Sequence, residues 1–544
     1  MISIPASLAR HARVGLIGLA VAALLAACGG ADETTPTGMT LERIGQYDGG
    51  AVGAAEITAY DASTARLFVV NGANGTVDVL DLADPTKPVK IGTIDVRDLG
   101  GSANSVAVSD GLVAIAVEAS PKTKPGSVLL VQASDLRRLQ TIAVGAQPDM
   151  LTFTPDGKYI VVANEGEPNS YGLADSVDPE GSISIITVVR GGQSTVATAD
   201  FKAFIGQEAA LRTQGIRIYG PGANAAQDLE PEYVAISADS RTAYVTLQEN
   251  NAVAIVDIAS AKVTAIKPLG FKDHSMAGMG LDASDEDGTP NTNSGTPAAK
   301  IATYPVRGLY LPDAIASYQI DGKTYLITAN EGDARADWPG FNEETRVRTH
   351  CDKGLDPAVF PDAANLILDS NLGRLRITAN PNGGSAGKNA AGLCTELYSF
   401  GARSFTIWDT DLKRVFDSGD QFEQRTLNLP NALFNTSNDS NTLDSRSASK
   451  GPEPEGVVVG QIGRKTFAFV GLERVGGVMV YDVTTPTAPT FVTYLNTRTG
   501  ATGDRGPEGL AFVPAAKSRN GKPLLIIGNE TSGTTAILQL NLSY

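Results

Sequence analysis

The side chains best able to do chemistry in this chain of 544 residues are carboxylates, and they recur at two fixed places in a repeating pattern. Glu56, Asp149, Glu232, Asp313, Glu455 and Glu508 each open a short apolar run, five of them directly after a proline. Glu118, Glu165, Glu249, Glu331, Glu473 and Glu530 follow the next apolar run, as in VVANE, ITANE and IIGNE. Asn104 and Asn71 stand at the two positions the acids leave open. Carboxylates gathered in a narrow space repel one another, so at neutral pH they must hold protons, pair with bases or bind cations. With Asn104, Asn164, Asn330 and Asn529 they form an oxygen-only inventory, which suits Ca²⁺ or Mg²⁺ better than zinc or copper. The competing reading is structural: the acids accept hydrogen bonds from neighbouring amides and arginines, with Arg335, Arg474 and Arg505 within reach in sequence. In the turn 330–335, Glu331 and Arg335 are the candidate catalytic pair, a carboxylate to act as base and a guanidinium to hold a phosphate oxygen.

The acids recur because the chain does. Seven units begin at Glu56, Asn104, Asp149, Glu232, Asp313, Glu455 and Glu508, each made of short strands rich in Val, Ile and Ala and bounded by Gly, Pro, Asn or Asp. Uninterrupted units recur at roughly 40–50 residues, the spacing of four-stranded blades. The expected fold is therefore all-β, a seven-bladed β-propeller over residues 40–544, with insertions near 200–229, 268–311, 334–402 and 425–450. In a propeller the start of each innermost strand and the end of the second strand share a face, so the acids become two concentric rings at one mouth of the channel. The last unit has only three strands. Residues 40–48 (TLERIGQYD) match the fourth strands KIGTID and FVTYLN and are expected to complete it, which closes the ring and removes exposed edges.

The N-terminus reads as an export signal. Arg10, His11 and Arg13 precede an apolar stretch, residues 14–25, too short to span a bilayer. It ends in Leu25-Ala26-Ala27-Cys28, which resembles a bacterial lipobox: residues 1–27 are the expected signal peptide, Cys28 the lipidated residue and 28–39 a polar tether. Gly29 after the cysteine favours the outer membrane by resemblance to proteobacterial lipoproteins. The net charge of −16 becomes about −18 once the signal is removed, which argues against nucleic-acid partners. A monomer is expected. Cys351 and Cys394, in one insertion, could close a disulfide in an oxidising compartment. The mature chain keeps only His274 and His350, too few for a His-rich zinc site, though either could border the mouth. Residues 281–288 (LDASDEDG) space aspartates loosely like a calcium loop but read first as a solvated acidic loop. Residues 383–387 fit G-x-S-x-G in a polar context that reads as a turn rather than a nucleophile elbow.

The segments AEITAYD, RLFVVNGANGTVDVLDL, PDMLTFTPDGKYIVVANEGEPN, YLPDAIASYQIDGKTYLITANEGDAR and GLERVGGVMVYDV resemble the bacterial choice-of-anchor I proteins across most of residues 40–544. Some members of that family carry the names alkaline phosphatase or mesenchyme-specific surface glycoprotein, and the family name describes variable attachment to the cell surface. The acid rings are also similar to the calcium sites of the phytase, paraoxonase and gluconolactonase propellers. The family name leaves the chemistry open, and the leading expectation from the residues is a lipid-anchored cell-envelope binding module with an acidic, calcium-holding mouth that meets an unidentified ligand or protein partner through the inserted loops. A metal-dependent phosphoesterase, an esterase or lactonase, and a purely structural surface protein are the alternatives.

Overall fold

Several second and third strands of the repeats are apolar at consecutive rather than alternate positions, as in Leu112–Val117 (LVAIAV), which predicts burial on both faces. A computed structural model describing residues 35–336, 338–381, 387–429 and 433–544 shows this arrangement. Leu112–Val117 and Ser182–Ile186 are buried throughout, whereas the fourth strands Val89–Asp95 and Thr195–Asp200 are mostly exposed and form outer edges. First strands such as Thr58–Asp61 mix buried and half-buried positions.

Among the described residues seven antiparallel sheets have four strands each. They begin at Thr58–Asp61, Ala103–Ser109, Pro148–Phe153, Val234–Ile236, Ile315–Ile320, Pro454–Ile462 and Pro507–Val513, and are numbered one to seven in that order. Each is open; packing joins them. Val70 and Val77 of sheet one meet Val113 and Ile115 of sheet two. Ala114 and Val128 of sheet two meet Ile160 and Val162 of sheet three, and the pattern continues along the chain. Leu67 and Val69 of sheet one also pack on Ile526 and Ile537 of sheet seven.

Sheet seven takes its outer strand from the far end of the chain. Gly38–Asp48, two residues longer than the sequence pattern implies, pairs antiparallel with Thr534–Ser543, placing Leu41 opposite Leu540.

Three insertions acquire structure that the repeat does not announce. Residues after Asp200 fold over sheets three and four, burying Phe201, Leu211 and Ile216 against them. The insertions 268–311 and 334–402 supply one five-stranded sheet, ordered Phe271–Asp273, Arg307–Leu309, Tyr398–Ser399, Arg376–Thr378, Glu344–Arg346. This sheet has its own core around Leu281, Tyr304, Phe360 and Leu375, and beside it Cys351 and Cys394 form a disulfide with Cα atoms 5.6 Å apart. Cys28 and Ser385 lie outside the described residues.

Leu41 anchors the terminal strand in the cluster formed with Phe469, Leu538 and Leu540. Leu41→Ala is expected to cost about 2 kcal/mol, toward the low end for a buried leucine because the site lies at the rim. Chemical denaturation measures the loss, and size-exclusion chromatography is expected to show association through the loosened edge.

Candidate functional site

Proline brings the first-position acids to the mouth. It cannot donate to a sheet ladder, and pairing between first and second strands slips just after it: between Pro148 and Leu151, Pro454 and Val457, and Pro507 and Leu510. Asp149, Glu455 and Glu508 sit inside these bulges, freed from the regular ladder. The residue before the proline is left-handed at Gln147 (φ 47°), Leu311 (φ 43°), Glu453 (φ 49°) and Gly506 (φ 67°), so one backbone device recurs in four sheets.

Asp149, Glu232, Asp313, Glu455 and Glu508 line a cavity of about 270 Å³ together with Glu331, Glu473, Gln248, Asp333 and Arg474. Glu56 adjoins them, its carboxylate seated on Gly72, where a Cβ would lie 2.4 Å from Oε1. Each first-position acid keeps some surface toward the channel and is otherwise enclosed by protein.

The two rings have different fates. Among the described residues, none of the six first-position side chains forms an ion pair or accepts a hydrogen bond, and Oε2 of Glu232, Glu455 and Glu508 is buried without a partner. The second ring is partly stitched. Glu165 accepts from Gln147, Glu331 from Gln248 (2.9 Å) and Lys450 (3.0 Å), and Glu473 from Asn438 (2.7 Å). The clip reading therefore describes part of the second ring and none of the first.

The stitching centres on two residues that the repeat did not reveal, Lys450 and Glu453. Carboxylate oxygens of Glu331, Glu453 and Glu473 all lie within 4.8 Å of one another. Like charges at that spacing repel by about 3 kcal/mol per pair at an effective dielectric near 20. Three bases answer them: Lys450 contacts Glu331, Asp333 and Glu453, Arg474 contacts Glu453 and Glu473, and Arg446 contacts Glu453. Against the cost of burial, these cations hold Glu453 down at about 2. Burial opposes the charge on Lys450 too, but Asp333, Glu331 and Glu453 hold its pKa well above the usual lysine range. Glu453 had a faint signal, since Glu-Pro-Glu occurs at both 230–232 and 453–455. Lys450 had none, because an insertion delivers it.

The first-position acids shift in the direction opposite to Glu453. Burial first, then the charges of Glu530 and Asp149, push Glu56 up to about 8. Burial, then Glu167 and Glu118, push Asp149 to about 7. Glu232, Asp313, Glu455 and Glu508 are raised well above the carboxylate range, by burial first and by neighbouring carboxylates second. In the second ring Glu165 is raised well above that range, Glu249 to about 7 and Glu473 to about 8, with burial the first cause in each; Glu118 is raised for the same reason.

Several expected roles are replaced. Arg335 does not face the channel as a free arm: it is 2% exposed, bonded to Asp228 (2.5 Å) and Glu230 (2.7 Å), because two buried acids claim its guanidinium first. It is a structural clip rather than a phosphate-holding partner for Glu331. Arg505 donates to the Asn438 carbonyl. Asn164, Asn330 and Asn529 turn into their own sheets, bonding Ser184, Thr406 and the Thr534 carbonyl, because adjacent strand residues point to opposite faces. Asn71 donates to Asp78 rather than filling the second ring, while Asn104 donates to the Pro148 carbonyl. His274 is fully buried behind the five-stranded sheet, its Nδ1 2.7 Å from the Met279 carbonyl, so it does not border the mouth.

The choice-of-anchor I domain model matches residues 56–486, from the first ring acid to just past the third strand of sheet six. The chain belongs to that family. Gigasin-3a of Magallana gigas is 29% identical over 191 residues, 32% of this chain and 66% of the relative. A mesenchyme-specific cell surface glycoprotein of Strongylocentrotus purpuratus is 27% identical over 288 residues, 47% of this chain and 35% of the relative. The matched part thus spans just under two thirds and about a third of those relatives. Among solved structures, a hydrazine synthase from Kuenenia stuttgartiensis aligns with TM-score 0.45 at 13% identity, covering 90% of this chain and 96% of that one. The WD40 domain of Toxoplasma gondii coronin aligns with TM-score 0.45 at 9% identity, covering 94% and 89%. Among the described residues no helix is long and apolar enough to cross a membrane.

The raised acids fix a pH dependence. Folded values near 7 to 8, against 4.5 for an ordinary glutamate, mean that the folded state binds protons more tightly than the unfolded one. That stabilisation is complete below about pH 4.5 and is lost as pH rises through about 7 to 8. In chelator, the melting temperature is expected to fall across this interval. Glu453 runs the other way, but its window lies lower, as pH falls from about 4.5 toward about 2. A differential scanning series in chelator checks the trend; a flat or rising profile from pH 5 to 8 contradicts it.

Proposed function

We propose that this chain is a cell-envelope binding module: a closed, seven-bladed β-propeller whose acidic mouth holds Ca²⁺ or Mg²⁺ and whose inserted loops meet an unidentified ligand or protein partner. The observation that carries the reading is the bareness of the first ring, five acids lining one cavity and Glu56 adjoining it, none paired with a base or hydrogen-bond donor, beside a second ring whose crowded members have both. The oxygen-only donor set fits a hard divalent cation. The six acids do not draw into one tight cluster, since Glu331, Glu453 and Glu473 are the group with that spacing. A cation held by the first ring therefore keeps part of its water shell, as Mg²⁺ commonly does and as loosely held Ca²⁺ can, and those waters leave room for a ligand oxygen. The sheets supply a rigid frame and the loops at the mouth supply recognition.

Surface placement is supported by family membership and by the name of the sea-urchin relative. We assign attachment to the Cys28 lipid, with the outer membrane as the target. Family names that refer to phosphatase activity find less support here, because Arg335 is engaged by Asp228 and Glu230.

The central test counts calcium ions bound at saturation after stripping with chelator. Glu232→Gln with Glu508→Gln is expected to bind fewer than the unmodified protein, with affinities in the range of about 10⁻⁴–10⁻³ M common for extracellular modules. Equal numbers overturn the mouth assignment. The anchor is tested separately: Cys28→Ser is expected to move the protein from the membrane fraction to the soluble fraction, and unchanged partitioning overturns the lipid assignment.

A further inference from the structure

The end of the sheets away from the mouth carries a charge pattern of its own. The first-position acids stand where their strands begin, so the turn joining each first strand to its second lies at the far end. In sheets one to five that turn holds an aspartate: Asp61, Asp110, Asp156, Asp239 and Asp321. Turn chemistry accounts for several of them, since Asp61 accepts from the Ser63 hydroxyl (2.7 Å), Asp156 from the Lys158 amide (3.1 Å) and Asp239 from the Arg241 amide (3.2 Å). Sheets six and seven break the rule. Their turns, residues 463–464 and 514–523 (PAAKSRNGKP), contain no acid and carry Arg464, Lys517, Arg519 and Lys522. The turn between the third and fourth strands of sheet six, residues 483–489, has no charged residue.

These four bases are exposed, and among the described residues none of them forms an ion pair. The neighbouring Lys465 is already matched by Asp482 (3.1 Å), and Arg519 donates to the Ala62 carbonyl (3.1 Å). Between the two turns lies a cavity of about 410 Å³ whose lining includes Ile462, Phe512, Leu540 and Leu542, with Lys522 and Tyr544 beside them. Ile462, Phe512 and Leu542 keep some surface toward solvent, and Tyr544 is 67% exposed. A chain of net charge −16 thus presents, on one patch, unmatched positive charge around apolar side chains.

The chain enters the propeller at this same end. The Thr37 amide donates to the Ser543 carbonyl (2.7 Å), and Gly38 stands opposite Ser543. Cys28 precedes Thr35, the first described residue, by seven positions, so a fully extended chain separates them by about 25 Å at most. A lipid on Cys28 holds this end against the bilayer, and headgroup phosphates become the nearest external anions. The acids of the mouth are a strand length away, about 20 Å, which is about two Debye lengths in 0.1 M salt. Their charge does not cancel the field of the far-end bases.

We propose that the far-end surface of sheets six and seven, with its four unpaired bases around an apolar cavity, docks on the headgroups of an anionic phospholipid bilayer. Basic side chains are drawn to an anionic leaflet, and a tyrosine beside them suits the headgroup level. Docked in this way, the propeller turns its acidic mouth away from the membrane, toward the ligand or partner. The orientation rests on the lipid reading of Cys28; the contact rests on the patch itself.

The test uses the mature chain, residues 28–544, carrying Cys28→Ser so that no lipid is attached, and chelator so that no divalent cation bridges the mouth to a vesicle. Co-sedimentation is measured with vesicles of equal parts phosphatidylglycerol and phosphatidylcholine and with phosphatidylcholine alone, in about 0.1 M salt. Binding to the anionic vesicles is expected to be at least about tenfold tighter. Arg464→Gln, Lys517→Gln and Lys522→Gln together are expected to weaken it by at least about tenfold, with the melting temperature unchanged because all three side chains are exposed. Lys158→Gln, Arg241→Gln and Lys323→Gln remove the same charge from the same end of sheets three, four and five, and are expected to leave binding within about twofold. Equal binding to both kinds of vesicle overturns the proposal, as does undiminished binding by the first triple variant or an equal loss in both. No lipid is attached in any arm, so the lipid assignment of Cys28 stands or falls separately, on membrane fractionation.

Discussion

Like charge brought together without a counter-charge is the constraint around which this molecule is organised. Five of the seven repeats open with a proline-acid step, which in three of them turns the carboxylate out of the sheet ladder, and the packing of sheet on sheet gathers these carboxylates around one cavity. A single such step would cost little, since its acid could face water. Repetition removes that escape, because every acid's neighbour is another acid, and burial weakens the screening between them. What holds the sheets together must therefore outweigh what the mouth costs. The apolar clusters between consecutive sheets, and between sheet seven and sheet one, are where that stabilisation resides.

The two rings show two ways of meeting the constraint. In the second ring the chain supplies its own cations, and Lys450, Arg474 and Arg446 convert three glutamates from a repulsive cluster into an ion-pair network. The consequence is visible at Glu453, which the bases hold near 2, whereas burial keeps Glu331 and Glu473 raised as it does Glu56, one ring away, at about 8. The first ring has no such supply. Its acids remain available, to protons at low pH and to external cations above it, which is the property a cation-dependent binding face requires.

The acid positions were legible because they belong to the repeat, and a side chain repeated at one place in a strand must face one way. The terminal strand was legible for a similar reason, its pattern matching the fourth strands that it replaces. Arg335 misled because closeness in sequence to Glu331 says nothing about Asp228 and Glu230, which lie more than a hundred residues away and claim the guanidinium. The asparagines misled because Asn164 and Glu165 are neighbours in the chain and therefore diverge in space. Lys450, Asp444 and the five-stranded sheet were hidden because they come from insertions, whose pairing joins segments with no shared period.

That division between repeat and insertion also assigns control. The repeat can place acids but, being the same in each unit, it cannot neutralise some and leave others bare. Asymmetry has to come from segments outside the period, and here it does: the insertion before sheet six lays Lys450 and Arg446 across one sector of the second ring and leaves the first ring open. The charge of the mouth is thus set by how firmly that segment is held. Asp444, Ser447 and Ser449 tie it to Ala298 and Arg403 at its base, while Lys450 ties it to Glu331 and Asp333 at its tip. Were the base to loosen, the tip would leave with it, and Glu331 and Glu453 would lose the base that Lys450 supplies. A fixed scaffold of repeats thereby acquires a mouth whose electrostatics depend on a few contacts made far along the chain from the acids themselves.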